Sequence, residues 1–79
     1  MSVKAFVLIE TVTAKSSEVA AELRKMAGVK SVDVVTGPYD LIAVADQPDV
    51  KSVSTLVTER ASHIPGVKRA ITCIAVRPT

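Results

Sequence analysis

The sequence predicts an α+β fold in which elements follow in the order strand, helix, strand, strand, helix, strand. One phrase occurs twice, as Ala27-Gly28-Val29-Lys30 and as Pro65-Gly66-Val67-Lys68. Each copy follows a stretch of helical periodicity and leads into a strand-like run, so each half of the chain predicts a strand-helix-strand unit. Two such units joined by a short turn form the ferredoxin-like arrangement, in which two helices cover one face of a four-stranded antiparallel sheet.

The first half of the chain predicts one strand and one helix before its glycine phrase. Alternating apolar residues predict strand β1 over residues 3–12. Helix α1 is predicted to begin near Ser16 or Ser17, whose hydroxyls suit an N-cap, with Glu18 in its first turn. Gly28 is predicted to end that helix as a C-cap.

The second half predicts a hairpin, a helix and a last strand. Strands β2 and β3 are expected over residues 29–36 and 41–45, joined through a turn at residues 37–40. Helix α2 begins after Asp49, a good N-cap, and stops before Pro65-Gly66. Strand β4 is expected over residues 67–76.

Length and composition predict a single domain over residues 1–79 with a small aliphatic core. Aromatic residues are limited to Phe6 and Tyr39, so Val, Ile, Leu and Ala must form that core. The formal net charge of +2 is spread along the chain, without the basic stripe that nucleic acid requires. Direct DNA binding is therefore not expected.

Cysteine usage and hydropathy predict a cytoplasmic protein. Cys73 is the sole cysteine, which excludes an internal disulfide and a CxxC site and fits a reducing compartment. Its expected role is that of a small buried hydrophobe. No apolar run approaches the roughly 18–20 residues of a membrane span, and the first ten residues lack the pattern of a signal peptide.

The strands predict an oligomer because their alternation places apolar side chains on both faces of the sheet. Two helices cover one face, and an exposed apolar second face would promote aggregation. A two-fold dimer that packs sheet face on sheet face buries it. The alternative is a monomer with an apolar open face.

Neither catalysis nor metal or cofactor binding is predicted. His63 is expected to be an ordinary helix-end histidine, and Cys73 lies mid-strand, where nothing acidifies its thiol. The turn at Gly37-Pro38-Tyr39-Asp40 is the candidate binding site, because Asp40 could pair with an ammonium group beside backbone hydrogen-bonding groups. The same residue types also serve ordinary turns, so both interpretations stand at this point.

Five segments resemble one known family: Ala5-Phe6-Val7-Leu8-Ile9, Val19-Ala20-Ala21-Glu22-Leu23, Gly28-Val29-Lys30-Ser31-Val32, Thr36-Gly37-Pro38-Tyr39-Asp40-Leu41 and Ile64-Pro65-Gly66-Val67-Lys68-Arg69. They are similar to the effector domain of the Lrp/AsnC, or feast/famine, transcriptional regulators, called RAM for regulation of amino acid metabolism. The resemblance covers about residues 3–76. It implies a ferredoxin-like domain that dimerises through its sheets like a dimeric α/β barrel, with dimers assembling into closed rings or discs.

The resemblance also implies a small-molecule site, usually for an amino acid, in the cleft between dimers. Gly37, Tyr39 and Asp40 match the family's turn motif, and Thr72 matches a polar position of its last strand. The family commonly has Thr or Ser where this chain has Ala70, which removes one hydroxyl from the implied site.

Three function classes follow. The leading interpretation is a non-enzymatic, homo-oligomeric amino acid sensor linked to transcription regulation. The second interpretation is a ligand-free module that co-assembles with a full-length Lrp/AsnC regulator. It follows because the sequence resembles a stand-alone form of the domain without a helix-turn-helix. The third, an enzyme of the dimeric α+β barrel type, requires inward acid-base groups, and the inward residues are mostly Val, Ile, Ala and Thr.

Overall fold

The computed structural model describes residues 2–76 and confirms the predicted order of elements. The strands are β1 Val3–Thr11, β2 Val29–Val34, β3 Leu41–Gln47 and β4 Val67–Ile74. The helices are α1 Ser16–Arg24 and α2 Val50–Thr55, and α2 continues as a π-helical segment, Leu56–Arg60, and a 3₁₀ turn, Ala61–His63. Within residues 2–76 no helix is long and apolar enough to cross a membrane.

The four strands form one antiparallel sheet in the order β2-β3-β1-β4, as the ferredoxin-like arrangement requires. Near one end of the central strands, Ile9 of β1 lies opposite Leu41 of β3 on one side and opposite Ala70 of β4 on the other. Strand β3 runs two residues beyond its predicted end because Gln47 still pairs with Val3. Strands β2 and β4 both lie at edges.

The core lies between the sheet and the helices. Every second residue of the two central strands is buried there, in agreement with the predicted alternation. These residues are Ala5, Val7, Ile9, Leu41, Ala43 and Ala45, each at most 3% exposed. The helical layer contributes to the same cluster as Val7, Ile9, Leu41 and Ala43. Its members there are Val19, Ala20 and Leu23 of α1, Val57 of the π-helical segment and Ala61 of the 3₁₀ turn.

The other face of the sheet carries a second set of apolar side chains, here called the open face. Its members alternate with the core residues and lie opposite one another across β3, β1 and β4. They are Phe6, Leu8, Ile42, Val44, Ile71 and Cys73. Most are half-buried, but Cys73 is exposed, so the prediction of a buried cysteine is wrong for the single chain. The reason is that Cys73 lies on an edge strand and on the side of the sheet away from the helices.

Helix α1 begins at Ser16 as predicted, but its capping residue and its end differ from the prediction. Its N-cap is Lys15, with no side-chain capping hydrogen bond, so the predicted serine cap is wrong. Ala14, at φ 66°, turns the chain into the helix, and the backbone N–H of Lys15 donates to the carbonyl of Val12. The helix ends at Arg24, four residues before Gly28. Gly28, at φ 90°, instead turns the chain into β2.

The π-helical segment was not predicted by the sequence. Two hydroxyls bond backbone carbonyls around it: Thr58 Oγ1 donates to Ser54 over 2.7 Å, and Ser62 Oγ donates to Val57 over 2.8 Å. Such bonds give helical carbonyl oxygens a side-chain hydroxyl as partner, in addition to the backbone N–H groups of the regular helical hydrogen-bond pattern. The segment nevertheless keeps its apolar side on the core, through Leu56 and Val57.

The predicted N-cap of α2 is confirmed and makes a testable contribution to stability. Asp49 accepts a hydrogen bond from the backbone N–H of Ser52 over 2.7 Å, and that bond lowers the pKa of Asp49 below its ordinary value of 3.8. A carboxyl whose pKa is lower when folded stabilises the fold above its unfolded pKa and loses that effect as pH falls through the folded value. We expect Asp49→Ala to lower the melting temperature at pH 7 and to have less effect near pH 2. Asp49→Asn retains a capping acceptor without the charge. The melting temperature of this variant should therefore depend less on pH between pH 7 and about pH 2 than that of the wild type.

Candidate functional site

The predicted turn lies at one end of the sheet, where the β2-β3 hairpin meets the end of β1. The backbone N–H of Val35 donates to the carbonyl of Asp40 over 2.9 Å and closes the hairpin. Asp40 donates its own N–H to the carbonyl of Ile9 over 2.9 Å, which ties the turn to the central strand. Gly37 is exposed with φ 141°, a conformation that favours glycine, and has open space on its Cβ side.

The Asp40 carboxylate has a partner outside its own hairpin. Its Oδ2 accepts a hydrogen bond from the backbone N–H of Thr11 over 2.8 Å and one from Thr11 Oγ1 over 3.2 Å. Over residues 2–76, no hydrogen bond to Oδ1 is found. One oxygen of Asp40 therefore anchors the hairpin to β1, and the other has no hydrogen-bond partner within residues 2–76.

Tyr39 brings the turn into contact with β4. The guanidinium carbon of Arg69 lies 5.9 Å from the centroid of the Tyr39 ring. Arg69 Nε also lies 3.6 Å from Glu10 Oε1, and Lys68 Nζ lies 3.8 Å from Glu10 Oε2. Tyr39 and Asp40 are neighbours in the chain, so they join these contacts to the Thr11–Asp40 pair. We call five of the residues the hairpin cluster: Glu10, Thr11, Tyr39, Asp40 and Arg69.

Thr72 is not brought to this cluster within one chain. It lies opposite Val7 on the helix-covered side of the edge strand β4. Ala70, two residues closer to the hairpin, is the residue that pairs with Ile9. Asp40 and Thr72 also lie on either side of β1, two strand spacings or about 9.5 Å apart, so the two residues do not form one small site within a single chain.

Three members of the hairpin cluster were missed by sequence reasoning. Glu10 and Thr11 end β1, and Arg69 was considered only as part of a basic pair. The strand order of a ferredoxin-like sheet could have predicted this cluster. The order β3-β1-β4 places the end of β1 between the start of β3 and the start of β4. Polar residues at those three strand ends must lie close together.

The chemistry of the cluster is that of charge recognition. It combines two carboxylates, a guanidinium, a phenol and a hydroxyl, and neither His63 nor Cys73 belongs to it. Among the described residues no group of three or more His, Cys, Asp or Glu could hold a metal ion. Such a set of groups can hold a small charged molecule in place.

Comparison with known proteins establishes the family. The Lrp/AsnC ligand binding domain matches residues 4–79, nearly the whole chain. This chain belongs to the Lrp/AsnC ligand-binding domain family. An HTH-type transcriptional regulator from Pyrococcus horikoshii, itself uncharacterized, is 29% identical over 70 residues, which are 89% of this chain and 44% of that protein. The chain thus spans less than half the length of this curated relative.

Solved structures of similar proteins have the same fold. A protein from Thermus thermophilus is 32% identical and superposes with a TM-score of 0.92, covering 98% of this chain and 96% of that one. A transcriptional regulator from Neisseria meningitidis, solved as a complex with L-Met, is 26% identical with a TM-score of 0.85, covering 95% of this chain and 50% of that one. The ferredoxin-like prediction is therefore confirmed.

Proposed function

We propose that this Lrp/AsnC domain is a non-enzymatic, cytoplasmic sensor that binds an amino acid at the β2-β3 hairpin and changes its state of assembly in response. The single observation that carries the proposal is Asp40, whose Oδ2 is fixed by Thr11 while Oδ1 has no hydrogen bond within residues 2–76. A carboxylate held in this way is a positioned partner for an ammonium group. The Neisseria relative, with L-Met bound, supports an amino acid as the ligand.

The open face supports a homodimer as the unit of assembly. Its side chains are apolar and contiguous across three strands, and a sheet face on sheet face contact would remove them from water. Further contacts between dimers would place Gly37, Tyr39 and Asp40 of one dimer near Thr72 of another. An amino acid held by two dimers stabilises the contact that forms its site. The free energy of this stabilisation equals the difference between the ligand's binding free energies to the assembled and to the separate dimers.

A thermal-shift panel of the purified protein against the twenty amino acids tests the proposal. A ligand at 100 times its Kd adds about 2.7 kcal/mol to the stability of the folded state. We expect one amino acid, or a few related ones, to raise the melting temperature well above the others. A flat panel with a clear melting transition would contradict amino acid sensing.

Asp40→Asn separates the charge of this residue from its structural bond. An Asn amide oxygen still accepts the backbone N–H of Thr11, so the hairpin should keep its anchor while the negative charge disappears. We expect the affinity for the amino acid to fall by about ten-fold or more, since a hydrogen bond to a charged group contributes about 1.5–3 kcal/mol. Titration calorimetry measures this loss.

Thr11→Val is the control for the Asp40 variant. It removes one donor to Asp40 but leaves the charge, and its affinity should stay within about three-fold of the wild type. Equal affinities of Asp40→Asn and wild type would refute the role of Asp40.

A second candidate function is co-assembly with a longer Lrp/AsnC regulator. It is favoured by the match to a domain-sized part of an HTH-type regulator, because such a subunit would present the same sheet face for mixed dimers. Purification from the native host distinguishes the two: a sensor yields a homo-oligomer, and a co-assembling module yields a complex with the regulator.

A further inference from the structure

A groove of about 390 Å³ lies between α2 and the end of β3. It is on the helix-covered side of the sheet, since Gln47 alternates along β3 in step with the core residues Ala43 and Ala45. The seven residues of β3, a length of about 20 Å, separate it from the hairpin. The groove is therefore distinct from the hairpin cluster and from the open face. The lining residues that concern its chemistry are Gln47, Asp49, Lys51, Thr55, Leu56 and Arg60.

Two cations line this groove without an ion-pair partner. Lys51 and Arg60 are both exposed, and within residues 2–76 neither forms an ion pair. Asp49 is the acidic residue of the lining, and its carboxylate caps α2 by accepting the backbone N–H of Ser52 over 2.7 Å. With two cations and one carboxylate, the lining has an excess of positive charge.

The π-helical segment brings Arg60 to the groove. At its end, the backbone N–H of Ala61 donates to the carbonyl of Leu56, five residues earlier. In a regular α-helix, the residue four positions after Thr55 lies next to it on the same face, and that residue is Glu59. The wider π-helical turn gives this place to Arg60, five positions after Thr55, and Arg60 rather than Glu59 lines the groove. The segment thus puts a positive charge where a regular helix would put a negative one.

The donors of the groove suit a phosphoryl group. A guanidinium presents a planar fork of N–H groups that matches two anionic oxygens, and the Lys ammonium adds a point charge. Two cations in one groove complement a group with two negative charges better than they complement a single carboxylate. Within residues 2–76 the Thr55 hydroxyl makes no hydrogen bond, and Gln47 Nε2 makes only a long one, 3.5 Å to the carbonyl of Ala27. Both side chains can therefore donate to further anionic oxygens.

We propose that the groove between α2 and β3 binds a small molecule that carries a phosphoryl group, which Arg60 and Lys51 hold. The site lies beyond the proposed function, because it takes a different ligand at the other end of the sheet. Its volume falls within the range of small-molecule pockets, about 300–1,000 Å³, so it accommodates more than the phosphoryl group, with Leu56 as an apolar contact. The alternative is a solvated basic surface that attracts anions without a defined site and is screened by salt.

Titration of isotope-labelled protein with inorganic phosphate, followed by NMR, tests the proposal. We expect saturable shifts of the signals from the groove, including the side-chain amide of Gln47 and the backbone amides of Ser52 and Thr55. Acetate at the same ionic strength, which has one negative charge, should bind more weakly. Shifts that grow linearly with phosphate, or equal binding of acetate and phosphate, would contradict a phosphoryl site.

Arg60→Gln and Lys51→Gln should each weaken phosphate binding by about ten-fold or more, as the loss of a hydrogen bond between charged groups implies. Lys68→Gln is the matched control, because it removes one exposed positive charge on β4, at the opposite edge of the sheet from β2. Its affinity for phosphate should stay within about two-fold of the wild type. Melting curves of the three variants should match the wild type, since all three side chains are exposed.

Equal affinities of Arg60→Gln, Lys51→Gln and Lys68→Gln would refute the site, because a diffuse basic surface loses the same attraction with any one cation. This result would leave amino acid sensing intact, since no residue of the hairpin cluster lines the groove. A flat amino acid panel would in turn leave the phosphoryl site intact. The two proposals therefore fail separately.

Discussion

Replacing Leu8 by Asp is expected to convert the protein into a folded monomer. Leu8 lies at the centre of the open face, between Ile42 on β3 and Ile71 on β4. Burying one Leu side chain contributes about 1.5–3 kcal/mol, and a two-fold dimer contains the substitution twice. A loss of about 3 kcal/mol raises the dissociation constant of the dimer roughly hundred-fold, and the buried charge adds to that loss.

Val50→Asp is the matched control for this variant. Val50 is an exposed apolar residue, at 56%, which begins α2 in the helical layer, away from the open face. An Asp in the first turn of a helix is compatible with the helix dipole, so the fold should persist. Light scattering at micromolar concentration should give a dimer or a larger assembly for the wild type and for Val50→Asp, and a monomer for Leu8→Asp. A monomeric wild type would contradict the dimer.

Leu41→Ala is expected to cost a large part of the stability of the fold. Leu41 is fully buried opposite Ile9, directly after Asp40. Truncating a buried Leu to Ala costs about 2–5 kcal/mol, because the transfer free energy is lost and a cavity remains. At about 0.05–0.15 kcal/mol per residue, a chain of 79 residues has only about 4–12 kcal/mol in total. Urea unfolding at a fixed protein concentration should show a much lower midpoint or no folded baseline.

Val34→Ala provides the comparison because Val34 is the cross-strand partner of Leu41 but is 56% exposed. The loss of methyl groups at this position removes little buried area. We expect its unfolding free energy to change by about 0.5 kcal/mol or less. Similar midpoints for the two variants would mean that the core is not organised around the sheet and helix contact described above.

The sequence correctly predicted the elements whose hydrophobic periodicity agrees with the position of a glycine or a capping residue at their ends. The repeated Gly-Val-Lys phrase, at Gly28 and Gly66, located the starts of β2 and β4, and both glycines have positive φ in the structure. Asp49 caps α2 as predicted. The alternation in β1 correctly placed Ala5 and Val7 on one face of the strand, because a strand exchanges faces at every residue.

Three other features of the structure did not follow from the local sequence patterns. The serine cap of α1 failed because the chain turns at Ala14 and leaves Lys15 in the capping position. The exposure of Cys73 follows from the position of β4 at the sheet edge. The anchor of Asp40 on Thr11 joins residues 29 positions apart, which no local pattern reports.

Sedimentation velocity of the wild-type protein, with and without the amino acid that gives the largest thermal shift, tests the central claim most directly. If an amino acid is held between dimers, its addition must move the population from dimers towards a larger assembly, with a midpoint that depends on protein concentration. An unchanged distribution of masses at a saturating concentration of every one of the twenty amino acids would contradict a sensor that acts through its assembly.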